Sequence, residues 1–299
     1  MRKLWTLLVS WALLAPGLAR AGEIMIPLER FTDTTQIQET LDSTGPYAVS
    51  ATVTDGVAVA SVSLKYRVGG TGDFTSVAMT AAGDVYSAAI PGQAVGGKVD
   101  YYIEAADASA NTATDPADAP GTTYSFYVMV TEALRYDDGS YETGWGSAQP
   151  DLYLMERFTP SDFPAYVLDF TYLPYNATAG TTTVQVAIHY DPDGGATPPD
   201  AGGIVLLGDP FTPDPASEHT IDLTGYTELA DGLPSGTYYV GFHFVAPDNT
   251  HPFWLGYDLN TTDQNDRSWM WFAREGWLEM VAAVGQAGVF TMGVTVARP

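Results

Sequence analysis

Trp269 and Trp271 stand two residues apart in the run Arg267-Ser268-Trp269-Met270-Trp271-Phe272. On a strand, side chains two apart point to one face, so the indoles form a pair and Met270 and Phe272 take the other side. Flat indoles bury the apolar face of a sugar ring while nearby carboxylates accept its hydroxyls. With Trp254 and Tyr257 added, the expected chemistry is an aromatic platform for carbohydrate. The competing expectation sends both tryptophans into the core of a sandwich that needs large side chains.

The second candidate is a set of carboxylate-rich loops. Asp191-Pro192-Asp193-Gly194-Gly195 alternates carboxylates ahead of a glycine turn, as a calcium loop does, because a hard cation wants several oxygens at once. An EF-hand does not fit, since Gly195 and Gly202 stand where a third ligand and a terminal Glu belong. Asp200 is the residue to close a looser loop. Asp137 and Asp138, with Glu142, form a rival oxygen cluster, as do Asp263 and Asp266. Turn-forming Asp on a solvated loop competes with each of these. Structural calcium is therefore an optional expected cofactor, with Asp137, Asp138, Asp191, Asp193 and Asp200 as its ligands.

Catalytic patterns are weaker. His189, His219, His243 and His251 show no metal spacing, and each is expected to be a hydrogen-bonded or surface histidine. There is no G-x-S-x-G elbow, and no glycine pair has the helix start and Lys of a phosphate loop. A glycosidase needs two opposed carboxylates, and Glu279 with Asp169 is the pair that strand-borne acids offer. With so many acids, such pairs arise by chance. No catalytic residue is expected. Asn176-Ala177-Thr178 and Asn260-Thr261-Thr262 match a glycosylation sequon that is expected to be idle.

Composition bounds the partners. The 299 residues hold 12 basic and 36 acidic side chains and no cysteine. Disulfides, thiol catalysis and Cys-ligated zinc are thereby excluded. Met1-Arg2-Lys3, the apolar stretch Leu4 to Ala15, and Ala19-Arg20-Ala21 read as a secretory signal over residues 1–21. A membrane anchor needs ~18 or more apolar residues, and this stretch is shorter. Removing the leader's Arg2, Lys3 and Arg20 leaves 9 bases against 36 acids, a net charge of −27. Phosphate backbones and anionic membranes are repelled by such a chain, so no nucleic-acid partner and no membrane insertion are expected. The 45 % hydrophobic and 12 % aromatic content argues for a folded core rather than an acidic tail.

The elements that must position these groups are strands. Period-two alternation is punctuated by Asp55-Gly56, Gly69-Gly70, Gly83-Asp84, Pro91-Gly92 and Gly96-Gly97, which is turn chemistry. Strands are expected at 47–54, 59–68, 74–79, 85–90, 99–106 and 123–130. Further on they are expected at 152–158, 166–173, 182–190, 204–207, 219–223, 237–245, 253–257, 268–273, 277–282 and 289–297. The expected fold is all-β: an Ig-like β-sandwich at 22–131 followed by a larger jelly-roll-type β-sandwich at 132–299.

Two stretches resemble known modules. Pro46-Tyr47, Ala51-Thr52-Val53-Thr54-Asp55, Ala60 to Val68, and Val99 to Asp107 followed by Asn111 to Thr114 resemble bacterial Ig-like, fibronectin-type-III-like modules of secreted surface proteins and hydrolases. That resemblance covers about a third of the chain and implies a spacer or interaction role. The run Tyr136 to Gly146, with Gly256-Tyr257-Asp258 and Arg267-Ser268-Trp269, looks like accessory β-sandwich modules of secreted bacterial proteins, and no functional residue is carried over from it.

All five tryptophans beyond the leader (Trp145, Trp254, Trp269, Trp271, Trp277) and all four histidines lie after residue 131, where every base is an arginine. Binding is therefore expected in the second unit. The expected protein is a secreted or cell-surface, non-catalytic binder of extracellular polysaccharide or a cell-surface protein. A purely structural adhesion subunit and a jelly-roll glycoside hydrolase are the rivals.

Overall fold

The computed structural model describes residues 30–299 apart from 57, 147–148, 176–179, 193–202, 216, 262–266, 273–275 and 286. The leader therefore lies outside the described residues, as do Asp193, Asp200, Asp263, Asp266 and the sequon at Asn176.

The chain is all-β, in several open sheets. Its first nine strands are β1 (Arg30–Thr32), β2 (Tyr47–Thr54), β3 (Val59–Val68), β4 (Thr75–Ala78), β5 (Thr80–Ala82), β6 (Val85–Ile90), β7 (Gly97–Asp107), β8 (Thr112–Asp115) and β9 (Tyr124–Val128). They form two sheets, β1-β2-β6-β5 and β4-β3-β7-β8, with β9 also on β7. Alternation decides what faces inward. Tyr47, Val49, Ala51 and Val53 of β2 share a buried cluster with Val62 and Leu64 of β3 and with Val99, Tyr101, Ile103 and Ala105 of β7. The Tyr101 hydroxyl donates to the Thr35 carbonyl at 2.8 Å and accepts from the Ile37 N–H at 2.9 Å, pinning the segment ahead of β2 to this cluster.

Only Met129 separates β9 from β10 (Val130–Arg135). Then come β11 (Thr143–Gly146), β12 (Leu152–Phe158), β13 (Tyr166–Tyr172), β14 (Thr183–Asp191), β15 (Ile204–Leu207), β16 (His219–Asp222), β17 (Thr237–Ala246), β18 (Trp254–Asp258), β19 (Ser268–Phe272), β20 (Gly276–Glu279), β21 (Val289–Phe290) and β22 (Met292–Arg298). A six-stranded sheet runs β15-β14-β17-β12-β19-β20, a four-stranded sheet runs β10-β22-β13-β16, and a small sheet runs β11-β18-β21. The inner faces meet in a second cluster, where Phe242 of β17 touches Phe170 and Tyr172 of β13 edge-on at 5.2 and 5.0 Å.

One expected strand is corrected. Residues 277–282 do not run on as a strand: β20 ends at Glu279 and helix α1 (Met280–Val284) follows. The Glu279 side chain accepts the Ala282 N–H and caps the helix, and Gly285 ends it in the left-handed region.

Candidate functional site

The six-stranded sheet has two unlike faces. Leu154, Phe242, Val186, Met270 and Leu278 point into the large cluster, so their neighbours along each strand point outward. Register then lines those outward residues up. Gln185 pairs with His243, His243 with Tyr153, Tyr153 with Trp271, and Trp271 with Trp277. One row across β14, β17, β12, β19 and β20 thus carries an amide, an imidazole, a phenol and two indoles. The next row is Ala187, Gly241, Met155 and Trp269. Small side chains at 187 and 241 lower the floor there, and a Cβ on Gly241 would lie 2.0 Å from the Leu154 carbonyl oxygen.

Tyr153 sits at the centre of the rings. It stacks on His243 at 4.3 Å and 15°, and meets Trp271 edge-on at 5.6 Å and Trp277 at 6.0 Å. His189, buried, is edge-on to both Tyr153 and Trp277 at 5.4 Å. Trp277 lies four strands from His189 in the sheet order, so its indole folds back over the face.

The polar end of the row has a defined proton arrangement. Gln185 Nε2 donates to the Gly208 carbonyl at 2.7 Å, which turns Gln185 Oε1 toward His243 Nδ1 at 3.1 Å. An acceptor at that distance requires the proton on Nδ1. Neutral His243 then presents the lone pair of Nε2, with Asp151 Oδ1 3.4 Å away. Burial lowers the His243 pKa, against the pull of Asp151, and so favours this neutral form. Two acceptors side by side call for a donor such as a hydroxyl.

The expected platform is divided by the structure. Trp269 and Trp271 do share a face, the outer one, with Trp269 only 6 % exposed against Met155, Ala187 and Tyr239 and Trp271 half-buried. Tyr257 is corrected: it is fully buried, edge-on to Phe290, with no open ring face. Trp254 is exposed but lies on β18, in the small sheet. These two residues are three apart on one strand, so alternation sends them to opposite faces. Gln185, Tyr153 and Trp277 have no binding role in the sequence reading, and His189 and His243 are expected there only as hydrogen-bonded or surface histidines, because only register brings these five together.

The acidic residues are also placed. Asp137 accepts Arg135 Nε at 2.8 Å and the Gly139 N–H at 2.9 Å, and Asp138 accepts the Ser140 N–H and hydroxyl. Asp191 is buried at the end of β14. Among the described residues no three His, Asp or Glu side chains are grouped to hold a metal ion. Asp169 is in the four-stranded sheet, paired with Asp222, whereas Glu279 caps α1, so these two carboxylates share no sheet. Glu156 is the acid that departs most from its ordinary range: burial pushes its carboxyl up to about 8, against hydrogen bonds from Ser268 Oγ at 2.6 Å and the Phe290 N–H at 3.2 Å. It is fully enclosed.

No family model and no curated protein matches the sequence. Solved structures overlap the fold weakly. The Clostridial cysteine protease Cwp84 after propeptide cleavage gives a TM-score of 0.46 at 8 % identity, over 80 % of this chain and 66 % of that one. The cysteine protease and lectin-like domains of Cwp84, a surface layer associated protein of Clostridium difficile, give 0.45 at 8 % identity, over 81 % and 59 %. This chain spans less than two thirds of either length. With no cysteine, it has no cysteine nucleophile. Among the described residues, no helix is long and apolar enough to cross a membrane.

Proposed function

We propose that the protein is an exported, non-catalytic carbohydrate-binding protein whose outer six-stranded face takes a single extracellular glycan chain. The observation that carries this reading is the five-strand row Gln185–His243–Tyr153–Trp271–Trp277. The indoles of Trp271 and Trp277 would cover the apolar face of a pyranose, and its hydroxyls would donate to His243 Nε2 and Asp151. An aromatic wall beside a few fixed polar groups is the usual make-up of a small-ligand site.

In this reading residues 132–299 form the jelly-roll binding unit, and residues 22–131 form an Ig-like spacer or interaction module. The leader directs the chain to the cell surface or the medium, and calcium is an optional structural ligand. The structural-subunit alternative draws on the close packing of Trp269 with Met155, Ala187 and Tyr239, which a purely architectural face would also have.

Titration of tryptophan fluorescence with a panel of soluble neutral oligosaccharides tests the reading. At least one should bind, and Trp271→Ala should weaken it about tenfold or more, the effect of losing ~1.4 kcal/mol of ring contact. Equal binding by the variant, or no binding across the panel, would leave the architectural reading standing.

A further inference from the structure

At one end of the aromatic row His243 Nε2 and Asp151 Oδ1 stand 3.4 Å apart, and both are acceptors. Gln185 makes them so, because its Oε1 takes the His243 Nδ1 proton at 3.1 Å while its Nε2 is committed to the Gly208 carbonyl at 2.7 Å. The backbone fixes Asp151 beside the ring. Its φ of 61° is left-handed, and its N–H donates to the Phe244 carbonyl at 2.8 Å. Its side chain is 67 % exposed and the His243 ring 13 %, so a ligand can reach the pair from outside.

A ring lone pair beside a carboxylate repels it unless a positive donor lies against both. A hydroxyl has one proton to give and brings two lone pairs of its own. A primary ammonium has three protons, no lone pair and the opposite charge, and a charged donor makes the stronger bond. The surroundings favour the ammonium. The chain carries a net −24, a field that draws cations in. Arg157, a base on the same face of β12, lies four residues from Tyr153, ~13 Å along the strand. The rings suit a cation too: Tyr153 lies on His243 at 4.3 Å with Trp271 edge-on at 5.6 Å, and aromatic faces attract an ammonium beside them.

We infer that Asp151 and His243 form a subsite for a primary amine, and that the glycan taken by this face is built of hexosamine units whose amino groups are not acetylated. The inference rests on the carbohydrate reading above and narrows it to one class of sugar. Trp271 is two strands from His243, ~10 Å across the sheet, so the unit seated on the indoles and the unit held by its amine are different units of one chain. Acetylation removes the charge and leaves a single N–H, so the acetylated chain keeps the ring contact and loses the ammonium contact. Gln185 is a positioning residue, since it holds His243 in the form that accepts.

Calorimetric titration of the whole chain at about pH 6.5 with the glucosamine tetramer and the N-acetylglucosamine tetramer tests this. The amine form should bind about tenfold tighter, and its affinity should fall as sodium chloride rises. Asp151→Asn should bring the two sugars within about twofold, and asparagine also adopts the left-handed region, so the turn survives. Gln185→Glu should lower the preference about fivefold although it adds an acid, because a carboxylate at Nδ1 favours the imidazolium and turns Nε2 into a donor. Tetralysine, charged but without sugar rings, should bind at least about tenfold more weakly than the amine sugar. Thermal melts verify the fold of each variant. Equal or tighter binding of the acetylated tetramer overturns the inference and leaves the carbohydrate reading in place. A preference that survives in both folded variants, or tetralysine binding as tightly as the sugar, also overturns it, since either would be general attraction of a cation to an acidic chain. Binding of neither tetramer overturns it as well, and the neutral oligosaccharide panel then decides separately whether the face takes sugar.

Discussion

Glu156 shows how a single buried carboxyl couples stability to pH. Its pKa is raised to about 8 in the fold, so between about 4.5 and about 8 the native state keeps a proton that the unfolded chain has lost. The sign follows: this group's contribution falls as pH rises through that window, by up to ~1.4 kcal/mol per pH unit, and is constant below it. Urea unfolding at about pH 5 and about pH 8 should show wild type losing several kcal/mol more than Glu156→Gln. Parallel losses would mean that Glu156 ionises normally. Asp137 poses a different question, since Arg135 already holds its carboxylate. Asp137→Asn should cost about 1–2 kcal/mol by leaving a half-buried guanidinium with Glu218 as its remaining carboxylate partner, equally in EDTA and in millimolar calcium. A loss confined to calcium-containing buffer would make Asp137 a metal ligand.

At the scale of elements, β17 depends on a missing side chain. Gly241 lies between Ala187 and Met155, where the strands approach so closely that a methyl group would strike the Leu154 carbonyl. Gly241→Ala should destabilise the chain by about 1–3 kcal/mol through overpacking, read as a lower denaturant midpoint. A neutral result would mean that the sheet can open there at no cost. Several strands were legible in the sequence: β2, β3, β6, β12 and β15 begin and end where the alternation and turn residues put them. The short strands β1, β5, β8 and β11 were not, because their three or four residues carry too little alternation and lack a continuous apolar run like that of Ile204–Leu207 in β15. Residues 280–282 were misread for a similar reason. A short apolar run does not separate strand from helix, and the cap from Glu279 decides it.

For the whole molecule the governing quantity is charge. With 36 acids against 12 bases, the folded chain concentrates negative charge that the unfolded chain can spread out. Raising sodium chloride from about 10 mM to about 150 mM should therefore raise the melting temperature, since the Debye length shrinks from ~30 to ~8 Å. A flat or falling trend would mean that ion pairs such as Arg67–Asp100 and Arg298–Glu132 outweigh the repulsion.

From the sequence alone come the all-β character, the inward and outward alternation, the shared face of Trp269 and Trp271, the absence of thiol chemistry and the excess of negative charge. Each follows from composition or from a period of two residues, both of which are local. Even the separation of Trp254 from Tyr257 was present locally, in their odd spacing. Which strands become neighbours is not local. Gln185, His243, Tyr153, Trp271 and Trp277 meet because β14, β17, β12, β19 and β20 pair in that order and register, and Tyr175 reaches Gly144 from a separate segment. Side-chain period chooses the face of a strand, but only packing of the apolar faces against one another chooses its partners.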